Sequence, residues 1–135
     1  MPLRSKLTAV VRSVREWHLH AGPPAKLEDA YTICYFLGRR LRHKHPDVRI
    51  MVGDYNGPRG PIMHHWLEIP SRRMYIDAAF DRFEPARPLR AGRTTDTSYI
   101  SDYLNALDSH FDLNDPRNHP KLVYRDRQAW DSEAP

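Results

Sequence analysis

One stretch of twenty residues, PIMHHWLEIPSRRMYIDAAF at 61–80, constrains the fold of this chain more than any other segment. Apolar and polar residues alternate on both sides of Pro70-Ser71, which is the pattern of two strands that each bury one face. A tight turn at this dipeptide would pair the two strands in an antiparallel hairpin. We therefore predict strands over 62–69 and 73–78, with one apolar face and one polar face.

The register of this hairpin decides which polar side chains meet. If Pro70 and Ser71 form a two-residue loop, His64 faces Asp77 on the polar side of the hairpin. A three-residue loop would instead oppose His65 with Asp77. We favour the first register because it also places an ion pair and an aromatic pair along the same face, and each such pair stabilises a sheet.

Helical periodicity precedes the hairpin. Apolar residues recur at helical spacing over about 3–18 and again over about 28–44. The second segment has acidic residues in its first turn and basic residues in its last turns, which complements the helix dipole. We predict a helix over each segment, joined by a loop around 22–24. Gly38, inside the second helix, is expected to permit close packing.

The remaining segments are predicted from turn and strand signals. A short strand over 48–52 leads into a turn-rich loop over 53–61, which is expected to line the cleft beside the hairpin. Residues 84–96 are predicted to be an irregular connection. A third helix is predicted from Thr97 or Ser98 to about 110.

These elements indicate an α+β fold in which helices pack on a small antiparallel sheet. We assign one domain to 1–113 and an extended tail to 114–135. A single cysteine excludes an internal disulfide and suits a reducing compartment, so a cytoplasmic location is expected. No apolar run approaches the roughly 20 residues that span a bilayer, and 1–15 lacks the apolar core of a secretory signal.

Three residues have the chemistry of a nucleophilic site. A carboxylate beside an imidazole fixes the ring's tautomer and stabilises its charged form, as a general base requires. A cysteine near the start of a helix gains thiolate character from the dipole. Cys34, His64 and Asp77 are therefore candidates for nucleophile, base and orienting acid. The alternative is that Cys34 is a buried apolar residue and the His–Asp pair is structural.

Four segments carry a family resemblance by their order along the chain: CYFLGRRL, VRIMVG, HHWLEI and YIDAAFDRF. They resemble the transglutaminase-like superfamily of papain-fold cysteine enzymes, and in particular its small bacterial members. The resemblance covers the segment from Cys34 to Phe83. It departs from the family just before the cysteine, where Tyr31, Thr32 and Ile33 replace small residues.

The resemblance implies a papain/transglutaminase-like fold and acyl transfer through a Cys34 thioester. His64 would be the base, because the family histidine stands two residues before the tryptophan, and Asp77 would orient it. The substrate would be a peptide or protein amide, as for a peptidase, an amidase or a transglutaminase, and no cofactor is implied. An inactive relative that kept the fold for binding is the alternative.

Further residues are expected around this site. Trp66 would support the histidine, and Tyr31 or Asn56 could assist the Cys34 backbone N–H as an oxyanion donor. His65 would lie next to the base. We therefore predict that Trp66, Tyr31, Asn56 and His65 contribute to substrate binding.

Metal binding and nucleic-acid binding are the alternatives to acyl transfer. The eight histidines include close pairs, but none has the spacing of a metal motif, so no metal site is predicted. The net charge of +4 and a basic stretch at 39–44 permit nucleic-acid binding. Nucleic acid therefore remains a candidate partner of an inactive binding module, and the oligomeric state is left open.

Overall fold

A computed structural model of the chain describes residues 3–18, 27–101, 110–111 and 113. Within these ranges two α-helices precede one antiparallel sheet, so the α+β class is confirmed. The elements are α1 (Leu3–His18), α2 (Leu27–Leu41), β1 (Arg49–Gly57), β2 (Gly60–Ile69), β3 (Met74–Asp77), β4 (Arg90–Arg93), β5 (Tyr99–Ser101) and β6 (His110–Phe111).

The two helices agree closely with the sequence pattern. Helix α1 has the predicted bounds, whereas α2 ends at Leu41, three residues before its predicted end, and 42–44 form a turn. Pro46 lies just beyond this turn and cannot continue a helix. Gly38 permits the close packing that was expected, since an added Cβ would lie 2.6 Å from Leu113 Cδ1 and 3.3 Å from Leu67 Cδ2. The predicted loop around 22–24 lies outside the described residues.

Strand β1 lies inside the sheet, between β2 and β5, and is longer than predicted. The strand order is β4-β3-β2-β1-β5, and β6 also pairs with β1. The predicted loop over 53–61 is therefore wrong, because β1 and β2 pair as far as Gly57 and Gly60 and only Pro58 and Arg59 turn. Pairing of β1 with β5 extends the strand, and such a distant partner overrides the local turn signal. Gly60 has a φ of 86°, a left-handed value that favours glycine.

The β2–β3 register differs from both predicted registers. Ile69 pairs with Met74 and Leu67 with Ile76, so four residues rather than two or three connect the strands. Residues 70–72 form one turn of 3-10 helix, and Arg73 adopts a left-handed φ of 50°. A two-residue hairpin turn needs positive φ at its central positions, which proline cannot adopt. The register is shifted by two residues from the favoured prediction, which leaves every side chain on its predicted face.

The predicted third helix is wrong where the structure describes it. Residues 97–98 form a turn and Tyr99–Ser101 form β5, which pairs with Gly53–Tyr55 of β1. The spacing of apolar residues after 98 suits a helix, but the unpaired edge of β1 accepts a strand instead. The connection predicted as irregular over 84–96 contains β4, which pairs with β3. Residues 102–109 and the predicted tail 114–135 lie outside the described residues.

The two faces of the sheet differ in character, and only one of them packs against α2. Tyr31 of α2 contacts His65 with a ring centroid distance of 5.2 Å, and Gly38 lies against Leu67. The side of the sheet that bears His65, Leu67 and Ile69 therefore packs against α2, and we call it the helix face. The opposite side bears His64, Trp66, Tyr75 and Asp77, and we call it the polar face.

One buried ion pair joins α1 to the segment after β3. The Arg15 guanidinium donates to both carboxylate oxygens of Asp81, at 2.8 and 2.6 Å, and to the Ala78 carbonyl at 3.2 Å. Asp81 is fully buried, so this bidentate pairing satisfies a charge that would otherwise be costly inside the protein. The contact fixes α1 relative to the segment that follows Asp77.

Candidate functional site

The His64–Asp77 pair predicted from the sequence is present on the polar face. His64 Nε2 lies 3.0 Å from each carboxylate oxygen of Asp77, and both side chains are fully buried. The pair forms diagonally rather than directly opposite, because the register is shifted by two residues. Diagonal neighbours on one face remain within reach of long side chains. The pairing is confirmed, and its role in catalysis stays a prediction.

Asp77 accepts hydrogen bonds from two further groups. The Tyr99 hydroxyl donates to Oδ2 at 2.7 Å, and the Ala79 backbone N–H donates to Oδ1 at 3.0 Å. Burial and the neighbouring charge of Asp77 raise the pKa of Tyr99 far above its usual range, which keeps the hydroxyl protonated and donating. The buried carboxylate is therefore held by three donors.

The other nitrogen of His64 is also engaged. Arg82 Nη1 lies 3.2 Å from His64 Nδ1 and donates to the Met63 carbonyl as well. A guanidinium can only donate, so Nδ1 must accept and the ring proton must lie on Nε2, toward Asp77. The Phe83 ring packs against the imidazole at an angle of 72°, with 4.7 Å between the ring centroids. Both ring nitrogens of His64 thus have partners within the protein.

Cys34 is not joined to this pair. Its side chain is 1% exposed and belongs to the apolar cluster that also contains Leu67 and Ile76 of the helix face. Among the hydrogen bonds of the described residues, none joins its sulfur to His64 or His65. Burial raises the pKa of the Cys34 thiol well above its ordinary value, and the charge of Asp77 raises it further.

The position of Cys34 within α2 explains part of this environment. The helix begins at Leu27, seven residues before the cysteine, so the thiol lies well inside the helix rather than in its first turn. The dipole acts mainly within the first and last turns of a helix. The bulky residues before Cys34, which depart from the family pattern, are accommodated in a continuous helix with a buried thiol.

Tyr31 and His65, both predicted to bind substrate, lie together between α2 and the helix face. Burial raises the pKa of Tyr31 to about 12, with smaller contributions from Tyr35 and Cys34. Burial, with smaller contributions from the neighbouring His64 and Arg82, lowers the pKa of His65 to about 4. His65 is therefore a neutral ring packed in the core at pH 7.

Trp66 and Asn56 lie in different places. Trp66 is 2% exposed and packs on the polar face 5.2 Å from the Tyr99 ring. Asn56 is exposed near the β1–β2 turn and pairs with Pro61, whereas the residue opposite His64 is Gly53. Three residues of strand separate Asn56 from Gly53, or about 10 Å. The structure therefore brings His64, Asp77 and Trp66 to one face and leaves Asn56 at the hairpin end.

A second network on the polar face was not anticipated. Arg90 donates to the hydroxyls of Tyr75 and Tyr55, at 3.2 and 3.0 Å, and to Asp96 at 3.1 Å. The Tyr75 hydroxyl donates to Asp96 at 2.8 Å. The Tyr99 ring lies 4.4 Å from the Tyr75 ring and links this network to Asp77. Arginine and tyrosine on alternating strand positions are a weak sequence signal, and their convergence depends on β4 and β5 joining the sheet.

A cavity of about 260 Å³ lies beside the His64 site. The β1–β2 turn forms one wall, and Arg82 and Phe83 form another. Residues 53–61 were predicted to line the cleft of the Cys34 site as a loop; residues 57–60 of the hairpin that forms instead line this separate cavity. Phe83 ends the stretch that carries the family resemblance, but neither Phe83 nor Arg82, which connect the cavity to the His64 ring, was predicted to line a site.

Basic residues gather at the other end of β2. Asp47 accepts a hydrogen bond from the Ser71 backbone N–H at 2.6 Å, which brings the segment after α2 next to the β2–β3 turn. Exposed basic side chains of both segments lie at this end, namely His43, Lys44, Arg72 and Arg73. Nucleic-acid binding, which the sequence permits but does not favour, is not tested by this arrangement.

Neither a metal site nor a membrane span is found in the described part of the chain. No three His, Cys, Asp or Glu side chains there are grouped as metal ligands. No helix among the same residues combines the length and apolar character needed to cross a bilayer.

Comparison with known proteins returns no relative: no family model, no curated protein and no solved structure matches this chain.

Proposed function

We propose that this domain is a binding module on a papain/transglutaminase-like scaffold and not an active acyltransferase. In this proposal Cys34 is a core residue, and the His64–Asp77 pair stabilises the polar face. The scaffold is inferred from the order of the cysteine helix, the His-x-Trp-x-Glu strand and the aspartate strand.

One observation carries the proposal: both ring nitrogens of His64 are occupied by groups other than a nucleophile. In a catalytic triad one nitrogen binds the orienting acid and the other accepts the proton of the nucleophile. Here Asp77 takes Nε2, and the Arg82 guanidinium donates to Nδ1. The position where a thiol would deliver its proton is therefore filled by a cation.

The state of Cys34 supports the same proposal. A thiolate is the attacking form of cysteine, and a low pKa with partial exposure is typical of reactive cysteines. Cys34 has a raised thiol pKa, is 1% exposed and lies in an apolar cluster. These are the properties of a buried structural cysteine.

The reactivity of Cys34 toward iodoacetamide tests the proposal. We expect the native thiol to react at least about tenfold more slowly than the same chain in urea, and to gain reactivity only above the ordinary thiol pKa of about 8.5. The matched control is a Cys34→Ala chain that carries Ser71→Cys, which places a thiol at an exposed turn position. Rapid native alkylation with a midpoint below pH 7 would overturn the proposal.

Acyl transfer is the second candidate, and the orientation of His64 by Asp77 favours it. The charge of Asp77 also reaches the Cys34 thiol, so the two groups are electrostatically coupled. Arg82 would then have to leave His64 Nδ1, and the Cys34 sulfur would have to come within hydrogen-bonding distance of the imidazole. The test compares hydrolysis of a fluorogenic peptide amide by the wild-type chain and by Cys34→Ala. Turnover that depends on Cys34 would establish this candidate, and equal signals would reject it.

A further inference from the structure

The cavity beside His64 lies between two segments that are distant in sequence. Residues 57–60 of the β1–β2 turn form one side and residues 82–84 form the other, and Tyr55 and Ile62 complete the lining. Its volume is about 260 Å³, close to the lower limit of small-molecule sites, and gives room for a molecule with one ring.

The apolar part of the wall is a fixed aromatic surface. The rings of Tyr55 and Phe83 lie 4.5 Å apart at an angle of 33°, and Arg90 Nη1 donates to the Tyr55 hydroxyl at 3.0 Å. Phe80 packs edge-on against Tyr55 at 5.4 Å. An added Cβ at Gly57 would lie 2.5 Å from Tyr55 Cε2, so the ring lies directly against the turn. Such a wall loses little freedom when a ligand binds.

The charged part of the wall is positive in balance. Arg59 and Arg82 contribute two guanidinium groups, and Glu84 contributes one carboxylate. Glu84 already pairs with Arg87 at 2.9 Å. Arg59 is exposed on the turn, and no ion pair to any described residue is found for it. A ligand with a negative group would compensate the charge of Arg59.

Arg82 is held in position before any ligand arrives. Its Nη1 donates to the Met63 carbonyl and to His64 Nδ1, and its guanidinium lies 5.2 Å from the centre of the Phe83 ring. Arg82 also lines the cavity, and a guanidinium fixed in this way needs little further ordering when a ligand binds. Charge-assisted hydrogen bonds from arginine to carboxylate or phosphate are among the stronger polar contacts in proteins.

We propose that this cavity binds a small anion with an apolar or aromatic body. The carboxylate or phosphate group lies between Arg59 and Arg82, and the body packs on Tyr55, Ile62 and Phe83. The inference rests on the proposed function, because it names the class of ligand that the binding module takes. It concerns a site that does not include Cys34.

Titration with simple probes, followed by NMR chemical shifts of the backbone amides, tests this inference. Benzoate and phenyl phosphate are the anionic probes and distinguish carboxylate from phosphate; benzamide and benzylamine are the neutral and cationic controls. We expect at least one anion to bind about tenfold more tightly than benzamide, as one charge-assisted hydrogen bond allows. The largest shifts should fall at 57–60 and 82–84.

Arg59→Gln and Arg72→Gln form the matched pair of variants. Both arginines are exposed on turns, at opposite ends of β2, so each substitution removes the same charge with little risk to folding. Arg59→Gln should weaken binding of the anion about fivefold or more, and Arg72→Gln should change it less than about twofold. Equal losses in the two variants, equal affinity for benzamide, or no binding of either anion at 10 mM probe would overturn the inference.

The two experiments fail independently. Rapid alkylation of Cys34 together with selective anion binding would reject the binding-module function and retain the anion site. An inert thiol without anion binding would retain the binding-module function and reject the anion site.

Discussion

The two faces of the sheet bury side chains of different chemistry and stabilise them by different means. On the helix face, Ile50, Leu67, Ile69 and Ile76 are fully buried against α2 and form an apolar core. On the polar face, His64 and Asp77 are equally buried but satisfy one another by hydrogen bonds. The chain therefore contains the three residue types of a catalytic triad, but they do not lie on one side of the sheet. The Cys34 sulfur packs with the helix face, whereas the His64 imidazole lies on the polar face.

The difference between the faces also gives the two adjacent histidines, His64 and His65, different environments. His65 is a histidine on the apolar helix face, and its pKa is lowered to about 4, mainly by burial. His64, one residue earlier, points to the polar face and is surrounded by Asp77 and Arg82. Adjacent histidines of one strand therefore occupy opposite environments because side chains alternate.

The largest expected effect comes from removing the acid of the polar face. Asp77→Ala leaves His64 Nε2, the Tyr99 hydroxyl and the Ala79 N–H without their acceptor. We expect the free energy of unfolding to fall by about 4 kcal/mol, as when one partner of a buried pair is lost. Urea denaturation followed by circular dichroism measures it. Asp54→Ala, at a half-buried position, is the control, and a loss below about 1 kcal/mol in Asp77→Ala would contradict the comparison.

The corresponding deletion on the helix face should cost somewhat less. Leu67→Ala removes a fully buried side chain that packs against Gly38 of α2. We expect a loss of about 3 kcal/mol, since truncation leaves a cavity that surrounding groups fill only in part. The half-buried Ile62 provides the control variant Ile62→Ala, for which the same urea experiment should give a smaller loss. Equal losses of unfolding free energy in the two variants would show that α2 does not cover the helix face at Leu67.

The free energy of unfolding should decrease as the pH falls, because His65 is buried on the helix face. The folded pKa of His65 is about 4 and its ordinary value is 6.5, so the unfolded chain binds the extra proton first as pH falls. The stability is fully present above about pH 6.5 and is lost progressively toward pH 4, by about 2–3 kcal/mol. Urea midpoints between pH 7 and pH 4 measure this loss.

Two variants identify the histidine responsible for this pH dependence. His65→Gln should flatten the decrease in stability, because no proton is taken up at that position on unfolding. His43→Gln, at an exposed position, should leave the decrease unchanged. A wild-type profile that is flat over the same range would show that His65 is protonated without cost in the folded chain.

The smallest effect distinguishes a structural cysteine from a nucleophile. Cys34→Ala should cost about 1 kcal/mol for a small cavity, and Cys34→Ser should cost about 1 kcal/mol more, because its hydroxyl would be buried in an apolar cluster. Thermal melts of the two variants compare them. A serine variant as stable as wild type would indicate a polar environment at this position and would favour the catalytic role.

The hairpin illustrates what could be predicted and what could not. Alternation of residues along 62–69 and 73–78 predicted that His64 and Asp77 share a face, and this holds although the turn is longer than expected. A shift of two residues keeps each side chain on its face, so the prediction survived an error in the turn. The turn itself depends on Asp47, whose contact with Ser71 has no local signal.

The segment after residue 96 illustrates the opposite case. The spacing of apolar residues predicted a helix, yet Tyr99 lies in a strand, and its hydroxyl donates to Asp77. The edge of β1 supplied backbone partners that the sequence of this segment does not encode. Arg82 was likewise missed as a partner of His64, because an arginine in a short turn has no periodicity to place it.

The sequence by itself determined the α+β class, the two helices and the face on which each strand residue lies, because the periods of helices and strands are local properties of the chain. Only the tertiary structure decided that α2 covers the face of His65 and not that of His64, that Arg82 occupies the imidazole nitrogen facing away from Asp77, and that Cys34 lies in the core. These outcomes depend on contacts between residues far apart in the chain, whose free energies no local pattern records.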